Sequence, residues 1–532
     1  MSTTVSAAGR SALMDPSALS MTQKVFAFAS MCVGMFIALL DIQIVSASLR
    51  DIGGGLSAGT DETAWVQTSY LIAEIVVIPL SGWLSRVFST RWLFAASAAG
   101  FTITSMFCGA AWNIQSMIVF RALQGFLGGS MIPMVFTTAF VFFGGKQRVI
   151  AAATIGALAS LAPTLGPTLG GWITDNASWH WLFYINLLPG IFVTIAVPAL
   201  VKIDAPELSL LRRADYVGMV LLAIFLGCLE YTLEEGPRWN WFSDSTILTT
   251  AWISGLTGIG FIVRSLTYDH PVVDLRALRD LNFALGCFFS FVSGIGLFAT
   301  IYLTPLFLGN VRGYSALEIG EAVFSTGVFQ ILTIPLYSYL AQRFDLRWIL
   351  MAGLALFAIS MWNFAPITHD WGGHELLLPQ ALRGMAQQLA IPPTVTLTLG
   401  SLAPSRLKLA SGLFNLMRNL GGAIGIAVCA TILNDRTNLH FYRMAEHLNT
   451  TNEAMNQWLA QTGGHLADLG PVADGSGDGA LHQLWSLAFR EAQTLSYADA
   501  FLAIMVCFVI ATATVPLMRK VAPPSAPSAD AH

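Results

Sequence analysis

Five ionisable side chains of this chain lie deep inside apolar stretches: Asp41, Glu74, Arg121, Arg383 and Arg418. Such a group is costly away from water and is by default a candidate for function. Asp41 stands about seven residues from the end of its run, or about 10 Å deep, and Arg121 lies at nearly the same depth in another. An acid that alternates between an arginine and a proton can couple proton movement to a change of shape, because apolar surroundings favour its neutral form and a guanidinium its charged one. The competing reading is a static buried pair that fixes helix packing. Glu74, among Ile72, Ile75, Val76 and Val77, has no partner on its own helix. It can carry a proton or take a cationic substrate, or hydrogen-bond a neighbouring helix. Arg383 and Arg418 can attract anionic substrate groups, or cap carbonyls inside the bundle. Gln43, Gln124 and Gln387, a few residues along from these charges, complete the expected polar lining of a substrate cavity. Glu230, Glu234, Glu235 and Glu321 fall near the ends of their runs and are expected to reach water by snorkelling.

Those runs dominate the chain. Of its 532 residues, 55% are hydrophobic and 11% charged, far below the roughly 25% of an ordinary soluble protein. Lipid must therefore be part of the solvent. The net charge of −4 gives no basic field for nucleic acid. Six cysteines lie in apolar runs without metal-ligand spacing, and no phosphate-cradling loop or nucleophile motif occurs. The sequence thus gives no sign of a metal, a cofactor or enzyme chemistry. A bilayer core takes about 20 apolar residues per helix. Fourteen spans are expected near 25–48, 63–85, 92–111, 115–138, 149–173, 181–202, 216–235, 246–267, 283–308, 317–340, 347–367, 375–400, 407–434 and 498–519. An even number puts both termini on one side. Eighteen of the 27 lysines and arginines then fall on that side, which marks it as cytoplasmic.

The chain also repeats itself. Pro79-Leu-Ser-Gly-Trp-Leu-Ser-Arg-Val-Phe-Ser-Thr-Arg-Trp92 returns 256 positions later as Pro335-Leu-Tyr-Ser-Tyr-Leu-Ala-Gln-Arg-Phe-Asp-Leu-Arg-Trp348. Ala122-Leu-Gln-Gly125 and Ile132-Pro133 return 259 later as Ala381-Leu-Arg-Gly384 and Ile391-Pro392. A parallel repeat in one membrane chain is a transporter architecture, with substrate bound between the halves. The expected organisation is a short N-terminal segment 1–24, a six-helix bundle 25–202, a linker 203–282 with two inserted spans, a second bundle 283–519 and a disordered tail 520–532. Residues 435–497 form the one long polar segment, on the outer side. Leu439, Phe441, Leu448, Trp458, Leu481, Trp485 and Phe489 suggest two amphipathic helices there, around a glycine-rich turn at 475–479.

Gly166-Pro-Thr-Leu-Gly-Gly171 in span 5 resembles the antiporter motif G-P-x-x-G-G of the major facilitator superfamily, and Arg121-Ala-Leu-Gln-Gly125 its R-x-x-Q-G motif. Leu40-Asp41 stands where its fourteen-span drug:proton antiporters of the EmrB/QacA type carry an L-D pair. Trp181-Leu-Phe-Tyr-Ile-Asn186 and His270-Pro-Val-Val-Asp-Leu275 are similar to further recurring stretches. The loop after span 2 departs from the family's G-x-L-x-D-x-x-G-R. Gly82, Leu84 and Arg91 are kept, but Arg86 replaces the acid and Ser89 the second glycine.

The resemblance implies an all-α fold of two six-helix bundles plus two central spans, in a bacterial inner membrane. It implies proton-coupled export of small amphipathic molecules by alternating access, with Gly166, Pro167, Gly170 and Gly171 as the element associated with export. It further implies a periplasmic adaptor and an outer-membrane channel as partners. Alternatives are export of one metabolite, fatty acid or siderophore, or a channel.

Overall fold

The computed structural model describes residues 19–520 apart from 47, 401, 403–405, 449–451 and 469–475. The expectations for 1–18 and for the tail beyond 520 lie outside these residues. Among the described residues the structure is helical, with short 3-10 turns and no strand. In chain order the helices are α1 (Met21–Ser46), α2 (Leu49–Gly55), α3 (Thr60–Phe88), α4 (Thr90–Gly109), α5 (Ile114–Phe142), α6 (Gly145–Asn176), α7 (Trp181–Tyr184), α8 (Leu187–Leu200) and α9 (Tyr216–Glu235). There follow α10 (Ser245–Thr267), α11 (Leu281–Asn310), α12 (Ala316–Arg343), α13 (Leu346–Phe364), α14 (Leu377–Leu399), α15 (Leu407–Ala445), α16 (Glu453–Asp468) and α17 (Ser476–Thr514). The first helix begins before the expected span because Ser20 and Gln23 cap it reciprocally, each side chain accepting the other's backbone N–H at 3.2 and 3.0 Å.

Thirteen helical stretches among the described residues are long and apolar enough to cross a membrane, α7 and α8 together making one. The fourteenth span is α14, whose 23 residues include Gln380, Arg383, Gln387, Gln388, Pro392 and Pro393. Its low apolarity follows from its position. Each of those side chains is buried inside the bundle, so the helix presents little of its polar surface to lipid.

The repeat in the sequence is a repeat in packing. In the first half α1 packs on α6, α3 on α5, and α4 on α5 and α8. In the second, α11 packs on α15, α12 on α14, and α13 on α14 and α17. Stacked pairs Phe357–Phe508 and Phe364–Phe501, with ring centroids 4.0 and 4.4 Å apart, fasten α13 to α17. The halves meet along two seams, α6 with α12 and α3 with α15, which are equivalent under the repeat. At the second seam the approach is close enough to require glycine, since a Cβ on Gly82 would run into the Lys408 carbonyl. The inserted α9 and α10 pack on each other, and α9 lies against both α3 and α15. Trp241, in the turn between them, donates from Nε1 to Thr431 Oγ1 of α15 at 2.9 Å.

The 435–497 segment differs from expectation. Helices α15 and α17 each continue for 39 residues, about 58 Å at about 1.5 Å per residue. Both outrun a hydrocarbon core of about 30 Å, and only α16 is a separate helix. Residues 476–479 open α17 instead of forming a turn, while Gly475 lies outside the described residues. The aromatic side chains explain the continuation: Phe441 packs edge-on against Trp485 and Phe489, themselves stacked at 5.0 Å. A Thr437–Ser496 hydrogen bond of 3.0 Å and His440–Asp499 contact of 2.9 Å bind the same two helices.

Candidate functional site

Asp41 of α1 and Arg121 of α5, whose similar depths make a pair feasible, meet in the structure. Arg121 Nη1 donates to Asp41 Oδ2 at 2.5 Å, and both side chains are fully buried. The carboxylate is fully engaged. Gln124 Nε2 donates to Oδ1 at 3.1 Å and Asn186 Nδ2 donates to the same oxygen at 2.7 Å. The guanidinium is held by several contacts: Nη1 also donates to Gln124 Oε1 at 2.8 Å, Nε to the Val66 carbonyl at 3.1 Å, and the plane lies 4.3 Å over the Tyr70 ring, while Nη2 has no hydrogen-bond partner among the described residues. The spacing from Arg121 to Gln124 is one helical turn, which puts both on the face of α5 turned to α1. Asn186 was not among the expected site residues. Its signal was a lone amide after Trp181-Leu-Phe-Tyr-Ile; Ser105 accepts its second N–H bond at 3.0 Å and fixes its orientation.

The second half lacks that closed pair. By the 259-residue offset, Gln380 stands in the place of Arg121 and Arg383 in the place of Gln124, so the arginine has moved one turn. Arg383 Nη2 donates to Thr326 Oγ1 of α12 at 2.8 Å, and Thr326 donates to Gln380 Oε1 at 2.5 Å. Nε and Nη1 of Arg383 are buried without a hydrogen-bond partner among the described residues, as is Gln387 Oε1. Arg418 of α15 lies elsewhere, 5.6 Å over the Phe136 ring of α5, with its Nε also unpartnered. Arg383 and Arg418 thus keep donors without hydrogen-bond partners among the described residues, as Arg121 does at Nη2. Gln43 stands apart from both groups, half-buried against the place where Gly166 of α6 lacks a Cβ.

Glu74 is 3% exposed and makes no hydrogen bond among the described residues. It does not join Asp41 and Arg121. Instead it lines a cavity of about 50 Å³ with Glu230 and Glu234 of α9. This corrects the expectation that the α9 acids reach water. Glu230 and Glu235 are buried because α9 lies in the angle between α3 and α15, with that face turned inward. Glu321, by contrast, is exposed as expected.

The loop with the substituted acid is repaired from a distance. Asp204, after α8, accepts from the backbone N–H of Thr90 at 2.9 Å and from the Ser89 and Thr90 hydroxyls, capping α4. The same carboxylate pairs with Lys408 Nζ of α15, which also donates to the Ser85 carbonyl at 3.2 Å. In the second half the position equivalent to Ser89 is Asp345, which caps α13 from its own loop and pairs with Arg347 at 2.9 Å. Burial opposes the charge of Asp345, but hydrogen bonds from the side chain and backbone of Arg347, with its positive charge, hold the carboxyl below its usual value. Arg86 faces a cavity of about 260 Å³ that His270 and Asp274 also line. Arg91 lies 4.9 Å over Trp92, and Leu84 is half-buried.

In α6, Pro163 and Pro167 sit inside one continuous helix. Gly166, Gly170 and Gly171 are buried, and Ser48 Oγ donates to the Gly170 carbonyl at 3.3 Å. No group of three or more His, Cys, Asp or Glu side chains is placed to hold one metal ion among the described residues.

Residues 31–315 and 286–525 match the profile of the Major Facilitator Superfamily. The chain belongs to that superfamily. It is a multi-pass membrane transporter of the fold that its repeat and packing display. It is 36% identical over 446 residues to the colistin resistance protein EmrB of Acinetobacter baumannii, covering 84% of this chain and 87% of that protein. It is 30% identical over 496 residues to the fatty acid resistance protein FarB of Neisseria gonorrhoeae, covering 93% and 95%. The multidrug export protein EmrB of Escherichia coli K12 is 30% identical over 446 residues, covering 83% and 86%. Among solved structures, the proton:xylose symporter XylE aligns with a TM-score of 0.59 at 13% identity, over 94% of this chain and 97% of that one. The human organic anion transporter MFSD10 aligns at 0.55 and 14% identity, over 91% and 99%. These two share the fold.

Proposed function

We propose that this chain is a proton-coupled exporter of small amphipathic molecules, the permease of an EmrAB-type pump, set in a bacterial inner membrane with both termini cytoplasmic. The observation that carries the reading is the enclosed Asp41–Arg121 pair with its two amide donors. Protonating Asp41 removes the charge that holds α1 to α5 at this point, while Gln124 and Asn186 still offer hydrogen bonds to the neutral acid. The pair then loosens without leaving an unsatisfied carboxyl, and Arg121 keeps its Val66 and Tyr70 contacts. Rocking of the halves about the α6–α12 and α3–α15 seams follows from that change, and the Asp204–Lys408 pair closes the cytoplasmic end of the second seam.

The names of the relatives, two EmrB proteins and FarB, agree with export of drugs or fatty acids. The free donors of Arg383 and Arg418 suit an acidic head group and favour fatty-acid-like substrates as a second reading. The partners expected of such a pump are a periplasmic adaptor and an outer-membrane channel, with the extended α15–α17 pair as the docking element.

The test is efflux from proteoliposomes against dyes, weak acids and lipophilic cations, with and without a proton gradient. Asp41→Asn is expected to bind substrate and to exchange it at equilibrium, yet to lose gradient-driven efflux by about tenfold or more, as removal of an intramembrane charge site would require. Normal driven efflux by that variant sinks the assignment. If Glu74→Gln alone loses coupling, the roles of the two acids are exchanged.

A further inference from the structure

The inserted helices lie outside both repeated bundles, yet α9 sends two carboxylates inward. Glu230 and Glu234, one turn apart, converge with Glu74 of α3 on the cavity at the α3–α15 seam. Phe298 of α11 and Asn419 and Gly422 of α15 complete its wall. Three acids in one place are not by themselves a site. The separate observation is a buried carboxylate oxygen of Glu230 that lacks a donor. Glu230 is 4% exposed and its Oε2 is buried with no hydrogen-bond partner among the described residues. Glu74, 3% exposed, also accepts none. Arg418 lies over the Phe136 ring and makes no hydrogen bond to Glu74 among the described residues, so its positive charge acts on that carboxyl only from a distance.

Buried acceptors left without donors are rare because each carries a desolvation cost that a donor removes. The room here suits a single ammonium head, and Phe298 supplies an aromatic side to the same space. A quaternary ammonium would bring charge but no N–H. A protonated amine brings both, and its hydrogen bonds to carboxylates are charge-assisted.

We propose that Glu230 and Glu234 of the inserted span, with Glu74, form a head-group site selective for organic cations bearing N–H bonds, that is, protonated amines. The inference rests on the export reading above and assigns the inserted pair a part in specificity. Gln at position 230 would keep the shape and remove the charge, whereas Asp keeps the charge on a shorter stem.

The experiment uses the full chain and three probes of one shape: 1-naphthylmethylamine, its N,N,N-trimethyl counterpart and neutral 1-naphthylmethanol. Efflux from proteoliposomes gives the KM ratio between probes, and equilibrium dialysis against protein in nanodiscs gives the Kd ratio. The wild-type protein is expected to favour the amine over the trimethyl probe by about tenfold, the size of one charge-assisted hydrogen bond. Glu230→Gln should bring that ratio close to one, and Glu230→Asp should retain part of it. An unchanged ratio in Glu230→Gln, or no preference in the wild type, overturns the site. If Glu230→Gln fails to assemble, Glu234→Gln and Glu230→Asp carry the same ratio test. If no probe is transported but the binding preference is present and depends on Glu230, the export reading falls and the site stands.

Discussion

Asp204 shows how one residue can replace a missing motif position. It accepts from the Thr90 N–H and pairs with Lys408, so a single carboxylate caps α4 and ties the two halves together. The variants Asp204→Asn and Asp204→Ala separate these roles, because the amide keeps an acceptor for Thr90 and alanine keeps none. Asp204→Ala is expected to lose about 1 kcal/mol more stability than Asp204→Asn, the usual worth of an N-cap. Thermal unfolding of the purified protein measures the difference, and equal midpoints would mean that the cap contributes nothing. The sequence reading found Asp41 and Arg121 because a charge in an apolar run stands out one residue at a time. It did not find Asp204 or Asn186, since a polar residue at a helix end is ordinary until its distant partners are known. It misjudged Glu230 for a related reason. Nearness to the end of a run reports depth along a helix and says nothing about which side the helix turns to its neighbours.

Helices were legible wherever apolarity continued for about 20 residues, and the repeat identified which helices correspond. α14 was legible as a run over 375–400 despite its glutamines and prolines, and Ala381-Leu-Arg-Gly384 then matched it to α5. The outer ends of α15 and α17 were hidden, because the contacts that hold them, Phe441 on Trp485 and Phe489, join residues over forty positions apart. In α6 the local sequence works against the element it forms. Pro167 removes one backbone hydrogen bond inside a 32-residue helix. Pro167→Ala restores it and is expected to stabilise the protein, by up to about 3 kcal/mol. The same change is expected to slow or uncouple transport if the weakened turn is where α6 flexes against α1 and α12. A bulky side chain at Gly170 should slow transport for the opposite reason, by pushing away the connection between α1 and α2 where Ser48 meets the Gly170 carbonyl. Thermal midpoints and efflux rates on the same preparations decide; wild-type rates in both variants would leave the glycines and the proline as packing alone.

At the scale of the molecule, the proposed pump assigns transport to the repeated bundles and delivery to the two extended helices. In that proposal the repeated bundles are the transporter, and the lengths of α15 past Thr437 and of α17 before Ser496 are the excess over a hydrocarbon core of about 30 Å. Phe441, Trp485 and Phe489 bind the extensions to each other, while Tyr442, Leu481 and part of Trp485 remain exposed on their outer surface. An adaptor that takes substrate onward would need such an apolar, rigid post outside the lipid. The alternative is that α16 and its flanks cover the outward cavity as a lid. The Thr437–Ser496 hydrogen bond brings the two helices together at 3.0 Å, so residues 437–495 can be replaced by a short Gly-Ser linker without straining either span. Adaptor docking predicts that this shortened protein transports normally in vesicles but gives cells no resistance and no longer co-purifies with the adaptor. A lid predicts that vesicle transport fails as well. Cells that remain fully resistant would exclude both, and the extended helices would then serve only to hold α15 and α17 in register.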